Sequence, residues 1–193
     1  MSAPRARVIW KTGQGNLTAF EPSAEDVALH ASTLAAAYNE PHNRSMMGHA
    51  EMTAQDVREH FAAMREEGAR LFLLALDGEL MGDADFRNLE KDDAEFAIMI
   101  GGRNSQGKGL GTRFALMLHA WAFRTLALEK IYITVIEANV ASRRLFEKLG
   151  YQVDESPEVR AHFDDPSDLG MSISQAKFNS QHAAALGEIT NVH

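Results

Sequence analysis

The chain has no cysteine among its 193 residues, which excludes disulfides and thiol nucleophiles. It is also short of positive charge. Nineteen Lys and Arg face 27 Asp and Glu, for a net charge of −8, and that argues against general nucleic-acid binding, which needs a basic footprint. A local basic patch for an anionic small molecule remains compatible with this balance. No apolar run approaches the ~20 residues of a membrane span. The N-terminus, MSAPRARVIWKTGQG, has no apolar core of a secretion signal, so a reducing, cytoplasmic setting without membrane attachment is expected. Repeats of 20–50 residues and low-complexity tracts are missing too. What is present is ordinary for a globular protein: 45% apolar and 24% charged residues, in a chain long enough for one domain with a full core.

Short β signals stand at Val8–Trp10 and Leu17–Phe20. Ser23 with Asp26 resembles a capping box and opens a helix carrying Val27, Ala31, Leu34 and Tyr38 at helical spacing. NEPHNR (39–44) is read as a break, because Pro41 disfavours helical geometry before it. Thr53 and Asp56 repeat the capping pattern ahead of Val57, Phe61 and Met64, and Gly68 supplies a stop. The period then changes. RLFLLAL (70–76), Asp77-Gly78 and ELMGDADF (79–86) predict a β-hairpin on a tight turn, and AEFAIMI (94–100) a third strand. A largely apolar helix is predicted over 110–126, a β-branched strand over 130–137, and a short helix over 140–149 with Ala141, Leu145 and Leu149 facing inward. Residues 151–154 and 169–174 read as closing strands around a loop. The stretch beyond Ser174 is polar and alanine-bearing and carries no clear pattern. The order predicts a mixed α/β fold, with antiparallel strands ahead of one parallel β-α-β crossover.

The segment QGKGLG (106–111) places three glycines between a buried strand and a buried helix. A helix N-terminus leaves its first backbone N–H groups unpaired and partly positive, and glycines remove the Cβ atoms that would hold an anion off. Strand, glycine turn and helix therefore read as a phosphate cradle, with Arg103, Lys108 and Arg113 adding positive charge; a plain surface loop is the bland alternative. GRNSQGKG (102–109) nearly matches the P-loop but has Gly109 where a magnesium-binding hydroxyl is needed, and the preceding strands read as antiparallel. The dinucleotide fingerprint fails as well, because Gly107, Gly109 and Gly111 are spaced G-x-G-x-G.

The third match is Q-x-x-G-x-G, Gln106 to Gly111, followed by KIYITVIEANVASRRLFEKLGY (130–151): a strand, an Asn, a short helix and a closing Leu-Gly-aromatic. Over about 17–174 the sequence resembles the GCN5-related N-acetyltransferase (GNAT) family. Its opening, with Pro22 and NEP (39–41), is most similar to the branch that acetylates ribosomal-protein N-termini. The resemblance implies a mostly antiparallel central sheet with one crossover and flanking helices, formed by a single acetyltransferase-like domain over 1–193. Residues 175–193 are left as a tail of unread structure. It further implies acetyl-CoA as the cofactor, with the diphosphate on the turn at Gln106, Gly107, Lys108, Gly109, Leu110, Gly111 and Thr112. The pantetheine arm would lie along the backbone of Ile98 and Ile100, where a bulge in the strand would aim an N–H at the thioester oxygen.

The implied chemistry is acetyl transfer to a primary amine, of a small molecule or of a protein N-terminus. By resemblance, Glu95 is a candidate general base, a job that burial suits because it eases protonation of a carboxylate; a solvated strand carboxylate is the alternative. Asn139 is a candidate cofactor contact or a simple N-cap. Many relatives place a proton-donating Tyr seven residues after that Asn, where this chain has Phe146. Ser142, three residues after Asn139, is the candidate acid in its place, water being the other. Asn43, Arg44, Asp85 and Arg87 are polar candidates for the acceptor site, and Met46, Met47 and Met52 candidates for an adaptable wall or plain core. His42, His49 and His60 match no metal spacing, and no metal is expected. Family members often dimerise, so a homodimer is compatible. The competing readings are a catalytically silent acyl-CoA-binding sensor or scaffold on the same fold, kept open by Phe146, and a P-loop nucleotide hydrolase.

Overall fold

A computed structural model describes residues 5–47, 50–101, 108–163 and 165–192. The first two β signals pair as an antiparallel hairpin, β1 (Arg7–Thr12) and β2 (Gly15–Phe20). Helix α1 (Ala24–Asn39) starts on a full capping box. The Asp26 N–H donates to Ser23 Oγ at 3.1 Å, and the Ser23 N–H donates to Asp26 Oδ2 at 2.7 Å. Thr53 and Asp56 do the same for α3 (Ala54–Glu66). Between them NEPHNR does more than break a helix: Pro41 opens a second one, α2 (Pro41–Met47), because its missing N–H is not needed in a first turn.

Strands β3 (Arg70–Leu76) and β4 (Glu79–Arg87) form the expected hairpin, with Asp77 at φ 49° and Gly78 at φ 87° in the turn. Strand β5 (Asp93–Ile100) adds antiparallel to β4, and α4 (Leu110–Thr125) crosses over to β6 (Lys130–Val135), which pairs parallel with β5. Helix α5 (Val140–Leu149), β7 (Gln152–Val153), the single turn α6 (Pro157–Arg160) and β8 (Leu169–Ser174) follow. The unread tail forms α7 (Gln175–Leu186) and β9 (Ile189–Val192). β9 pairs antiparallel with β1, and Phe178 and Ile189 enter the core. The sheet order is β7-β8-β6-β5-β4-β3-β2-β1-β9. Among the described residues no helix is long and apolar enough to cross a membrane.

Both faces of the sheet are covered, which is why RLFLLAL is apolar without alternation. Leu71 and Leu73 pack with Val27, Leu34 and Phe61 under α1 and α3, while Phe72 and Leu74 pack with Phe86, Phe96 and Trp121 under α4. Helix α4 is buried almost all round. Its His119 is a fully buried tether: Nδ1–H donates to Ala115 O at 2.7 Å and Nε2 accepts from the Tyr151 hydroxyl at 2.5 Å. Burial pushes the His119 pKa down to about 3, so the ring is neutral and able to accept. This bond joins α4 to the residue that follows α5 and so fixes the two helices beside the wedge described below.

Two expectations are corrected. In α5 the buried residues are Phe146 and Leu149, whereas Ala141 is exposed and Leu145 half-buried. Only the C-terminal half of this helix lies on the core. The bulge expected in β5 is not there, since β5 keeps regular register with β4 from Glu95 to Ile100. The irregularity lies between β3 and β4, where Leu74 opposes Gly82 and Ala75 opposes Leu80, leaving Met81 as the extra residue.

Candidate functional site

The parallel pair is brief. Asp93, Ala94 and Glu95 oppose Lys130, Ile131 and Tyr132, and beyond that point β5 continues only with β4 while β6 continues only with β8. The sheet opens there into a wedge. The Gly101 N–H donates to Met81 O at 2.8 Å, so Gly101 turns its backbone toward β4. Strand alternation then turns the backbones of Ile98 and Ile100 toward β6, that is, into the wedge. The β5 edge therefore presents main-chain groups to an extended ligand, without the bulge.

Helix α4 begins at the open end of β5. Gly109 is its N-cap, at φ 75°, and contributes no side-chain cap. Helix geometry leaves the N–H groups of Leu110, Gly111 and Thr112 without intrahelical partners, the first internal bond being from the Arg113 N–H to Gly109 O at 3.2 Å. At Gly111 the two helices are close: a Cβ there would stand 2.8 Å from Leu145 Cδ1, and the end of the Leu145 side chain would have to shift to admit it. Leu110 is buried, Thr112 half-buried and Lys108 exposed, and the Arg113 guanidinium donates to Gln14 Oε1 at 2.7 Å. Gln106 and Gly107 lie outside the described residues, as do Arg103 and His49. Amides without a partner among the described residues, a glycine cap and a strand edge facing a gap fit a diphosphate and its pantetheine arm. Leu110, Gly111 and Thr112 would hold the former and Ile98 the latter.

Across the wedge, Asn139 caps α5. Its Oδ1 accepts from the Ser142 N–H at 3.0 Å, which leaves Nδ2 for another partner. Ser142 is half-buried in that first turn. Phe146 is packed against Phe96 and Tyr151, at centroid distances of 6.2 and 5.1 Å, and belongs to the core.

The opposite face of the sheet, under α1, carries side chains with very different chemistry. Glu95 closes the bottom of the wedge at 8% exposure, and both its oxygens are engaged. Oε1 accepts from Thr134 Oγ1 and Oε2 from Asn88 Nδ2, each at 2.8 Å. Asn88, at φ 48° just past β4, also lies 3.2 Å from His162 Nδ1, and the His162 ring stacks on Tyr132 at 5.2 Å. One strand back, Arg87 grips Asp85 through two bonds of 2.7 Å. Two residues before Asp85, Asp83 accepts from the Tyr38 hydroxyl at 2.6 Å. Burial pushes the Asp83 carboxyl up to about 7 and the Tyr38 hydroxyl well above its usual range.

Of the proposed acceptor residues, Asp85 and Arg87 thus lie on one face with Glu95. Asn43 is buried at the edge of that group, with Nδ2 2.9 Å from Ala37 O and 3.9 Å from Met99 Sδ. Arg44 is exposed on α2 and does not join it. Asp83, Tyr38, Asn88, Thr134 and His162 were not singled out from sequence. For Asp83 a signal existed, since Asp83 and Asp85 are two carboxylates at i, i+2 in a strand bounded by apolar residues, and must share a face.

The family model of the acetyltransferase (GNAT) domain matches residues 17–152. An N-acetyltransferase 9-like protein of Caenorhabditis briggsae is 27% identical over 124 residues, 56% of this chain and 63% of the relative. A spermidine N(1)-acetyltransferase of Escherichia coli is 32% identical over 93 residues, 47% of this chain and 50% of the relative. The chain thus spans between half and just under two-thirds of the curated relatives it matches. Among solved structures, Mycobacterium smegmatis RimJ in complex with CoA-disulfide superposes with a TM-score of 0.75 at 17% identity, covering 97% of each chain, which shows a shared fold. With a wedge between parallel strands, a helix N-terminus at its mouth and a family model reaching from β2 to β7, the chain belongs to the GNAT acetyltransferase family.

Proposed function

We propose that the chain is an acetyl-CoA-dependent N-acetyltransferase acting on the primary amine of a small cationic molecule. The observation that carries this reading is the wedge after Glu95 and Tyr132, flanked by the uncapped start of α4 on one side and by a carboxylate-rich face on the other. Acetyl-CoA supplies an activated acyl group as a thioester; the chain's own residues supply position and proton handling. The amides of Leu110, Gly111 and Thr112 receive the diphosphate, the Ile98 backbone pairs with the pantetheine amide, and Asn139 Nδ2 orients the arm from across the wedge. Placing the two reactants in register is the largest contribution, for which about 7–11 kcal/mol is available. Glu95, fixed by Thr134 and Asn88, takes the proton from the amine, directly or through one water. The amine nitrogen bonds to the acetyl carbon as the carbon–sulfur bond breaks, and Ser142 or water returns a proton to the leaving thiolate.

Charge supports the cationic acceptor. Asp83, Asp85 and Glu95 share the acceptor face with Arg87 as their cationic neighbour, and the E. coli relative is named for spermidine. Resemblance to the ribosomal-protein branch would instead favour a protein N-terminus, in a homodimer. The silent acyl-CoA-binding reading has one observation in its favour, the burial of Phe146 where a proton donor would stand. A thiol-release assay with acetyl-CoA against monoamines, polyamines, aminoglycosides and peptides separates these. Amine-dependent release of CoA is expected with polyamines. Acetyl-CoA binding without release from any amine would overturn the enzyme in favour of the silent module.

A further inference from the structure

Two of the three carboxylates on the acceptor face have both oxygens in use. Asp85 is held bidentate by Arg87, and Glu95 accepts from Thr134 and Asn88. Asp83 differs. It is 9% exposed, its Oδ2 accepts from Tyr38, and its Oδ1 is buried with no hydrogen-bond partner among the described residues. Folded proteins rarely leave a buried carboxylate oxygen unmatched, because nothing then replaces the water it has lost. A donor from beyond the described residues would supply the missing partner.

We propose that Asp83 Oδ1 receives the distal ammonium of a polycationic acceptor, a linear diamine or polyamine whose other amine is the one acetylated beside Glu95. The inference rests on the reading above for where the acetyl group is delivered. Asp83 opposes Met99 and Glu95 opposes Arg87 in one regular register, so the two carboxylates are four residues apart along the same face. At about 3.4 Å per residue that is roughly 14 Å between their backbone positions, a span for an extended alkyl chain of several methylenes. Ala97 lies between them on β5, opposite Asp85, and is half-buried, bringing only a methyl group to that face. Arg87 would repel a cation, but Asp85 neutralises it.

Protonation supports the assignment. Burial raises the Asp83 pKa to about 7; the charge of Asp85 adds to the rise, while the Tyr38 hydrogen bond and Arg87 oppose it. From α1 the facing group is the Tyr38 hydroxyl, whose own pKa is pushed far up and which stays a donor. From β4 the facing groups are Asp85 and Arg87, and from β5 Met99 opposite, with Glu95 further along the strand. An ammonium needs the ionised carboxylate, so diamine affinity should rise as pH rises through about 7, in a range where alkyl ammonium groups do not themselves titrate.

The test is calorimetric binding to the full chain, without acetyl-CoA, of 1,6-diaminohexane, 1,8-diaminooctane and 1-aminohexane as the monoamine control. At pH 8 the wild type should bind the diamines at least tenfold more tightly than the monoamine. Asp83→Asn should abolish that advantage, and the wild-type advantage should shrink between pH 8 and pH 6. A diamine advantage that survives Asp83→Asn, or is the same at both pH values, or is absent from the wild type, overturns the proposal. If Asp83→Asn does not fold, the wild-type pH comparison decides alone. Acetyl-CoA binding, titrated separately, reports on the acyltransferase reading. A chain that binds acetyl-CoA but shows no Asp83-dependent diamine binding loses this inference and keeps that reading; Asp83-dependent diamine binding without acetyl-CoA binding keeps the ammonium site at Asp83 and loses acetylation of the other amine together with that reading.

Discussion

The two sides of the wedge are made of different materials. On the α4 side the candidate contacts are main-chain: the amides of Leu110, Gly111 and Thr112 and the backbone edge of Ile98, with glycines at 109 and 111 keeping side chains away. On the α1 side they are side-chain atoms of Tyr38, Asp83, Asp85, Arg87 and Glu95, each oriented by a hydrogen-bonded neighbour. A site of amides is damaged by adding atoms; a site of carboxylates is damaged by removing a charge. In the proposed reading the first accepts any ligand with the right phosphate and strand-like arm. In the same reading the second discriminates by charge and spacing. A transferase that takes one fixed donor and a family-variable acceptor is well served by that division.

The sharpest way to break the comparison is to put a charge on the main-chain side. Gly109 sits at φ 75°, where a side chain is strained, and a Cβ there would meet Arg113 Nη1 at 3.2 Å. Gly109→Glu places a carboxylate among amides meant for a diphosphate. Acetyl-CoA binding by calorimetry should fall more than a hundredfold, with diamine binding unchanged. Retention within tenfold would mean that α4 does not hold the cofactor. Glu95→Gln is the matching change on the other side: kcat should fall by ~10²–10³, the usual scale for a general base, while the acetyl-CoA dissociation constant stays the same. An unaltered kcat would remove Glu95 from proton transfer.

The same division explains what could be read from sequence. The start of α4 is local: strand, glycine-rich segment and apolar helix are contiguous in sequence, so the pattern in 106–111 and its partner in 130–151 pointed to the fold, and Gly109 stands at the start of α4. Capping boxes at Ser23 and Thr53 and the Asp77-Gly78 turn are equally local, and they stand where they were expected. The acceptor face is assembled from α1, β4, β5, β6 and the segment after α6, so Tyr38 meets Asp83 across 45 residues and Thr134 meets Glu95 across 39. Spacing along the chain carries no trace of such pairs. The tail was unreadable for a related reason. α7 has little amphipathic contrast and one buried residue, Phe178, while β9 exists because β1 offers it an edge.

Asp83 also makes a stability prediction that sharpens the contrast, because main-chain donors do not titrate. Its carboxyl has a folded pKa of about 7 against an ordinary value of 3.8, so between those values the folded chain holds a proton that the unfolded chain has released. The stabilisation is complete below the unfolded value and is lost as pH rises through about 7. The full shift would correspond to ~4 kcal/mol, and relaxation around the ionised form brings the expected effect to about 2 kcal/mol. Asp83→Asn should therefore be more stable than the wild type at pH 8 by about that amount in urea unfolding, with the gap closing toward pH 4. His119, with its pKa held near 3, acts in the opposite sense, its contribution growing as pH rises toward the ordinary histidine range. It is common to both proteins and cancels in the difference. A gap that does not depend on pH would mean that Asp83 is not the buried titrating group.

The finest test concerns Asn139, where the two materials meet in one side chain. Its Oδ1 serves the protein, accepting the Ser142 N–H at 3.0 Å as an N-cap, and its Nδ2 is what remains for the cofactor arm. Asn139→Asp separates these roles at constant shape. Aspartate caps as well as asparagine, and its charge suits a helix N-terminus, so thermal stability should be unchanged or slightly raised. The donor, however, becomes an acceptor. If Nδ2 contacts the pantetheine arm, KM for acetyl-CoA should rise about fivefold, the scale of one lost neutral hydrogen bond near 1 kcal/mol, with little change in the KM for the amine. If both stability and KM are unaffected, the residue is a helix cap alone, and the β6 wall of the wedge must hold the arm by other means.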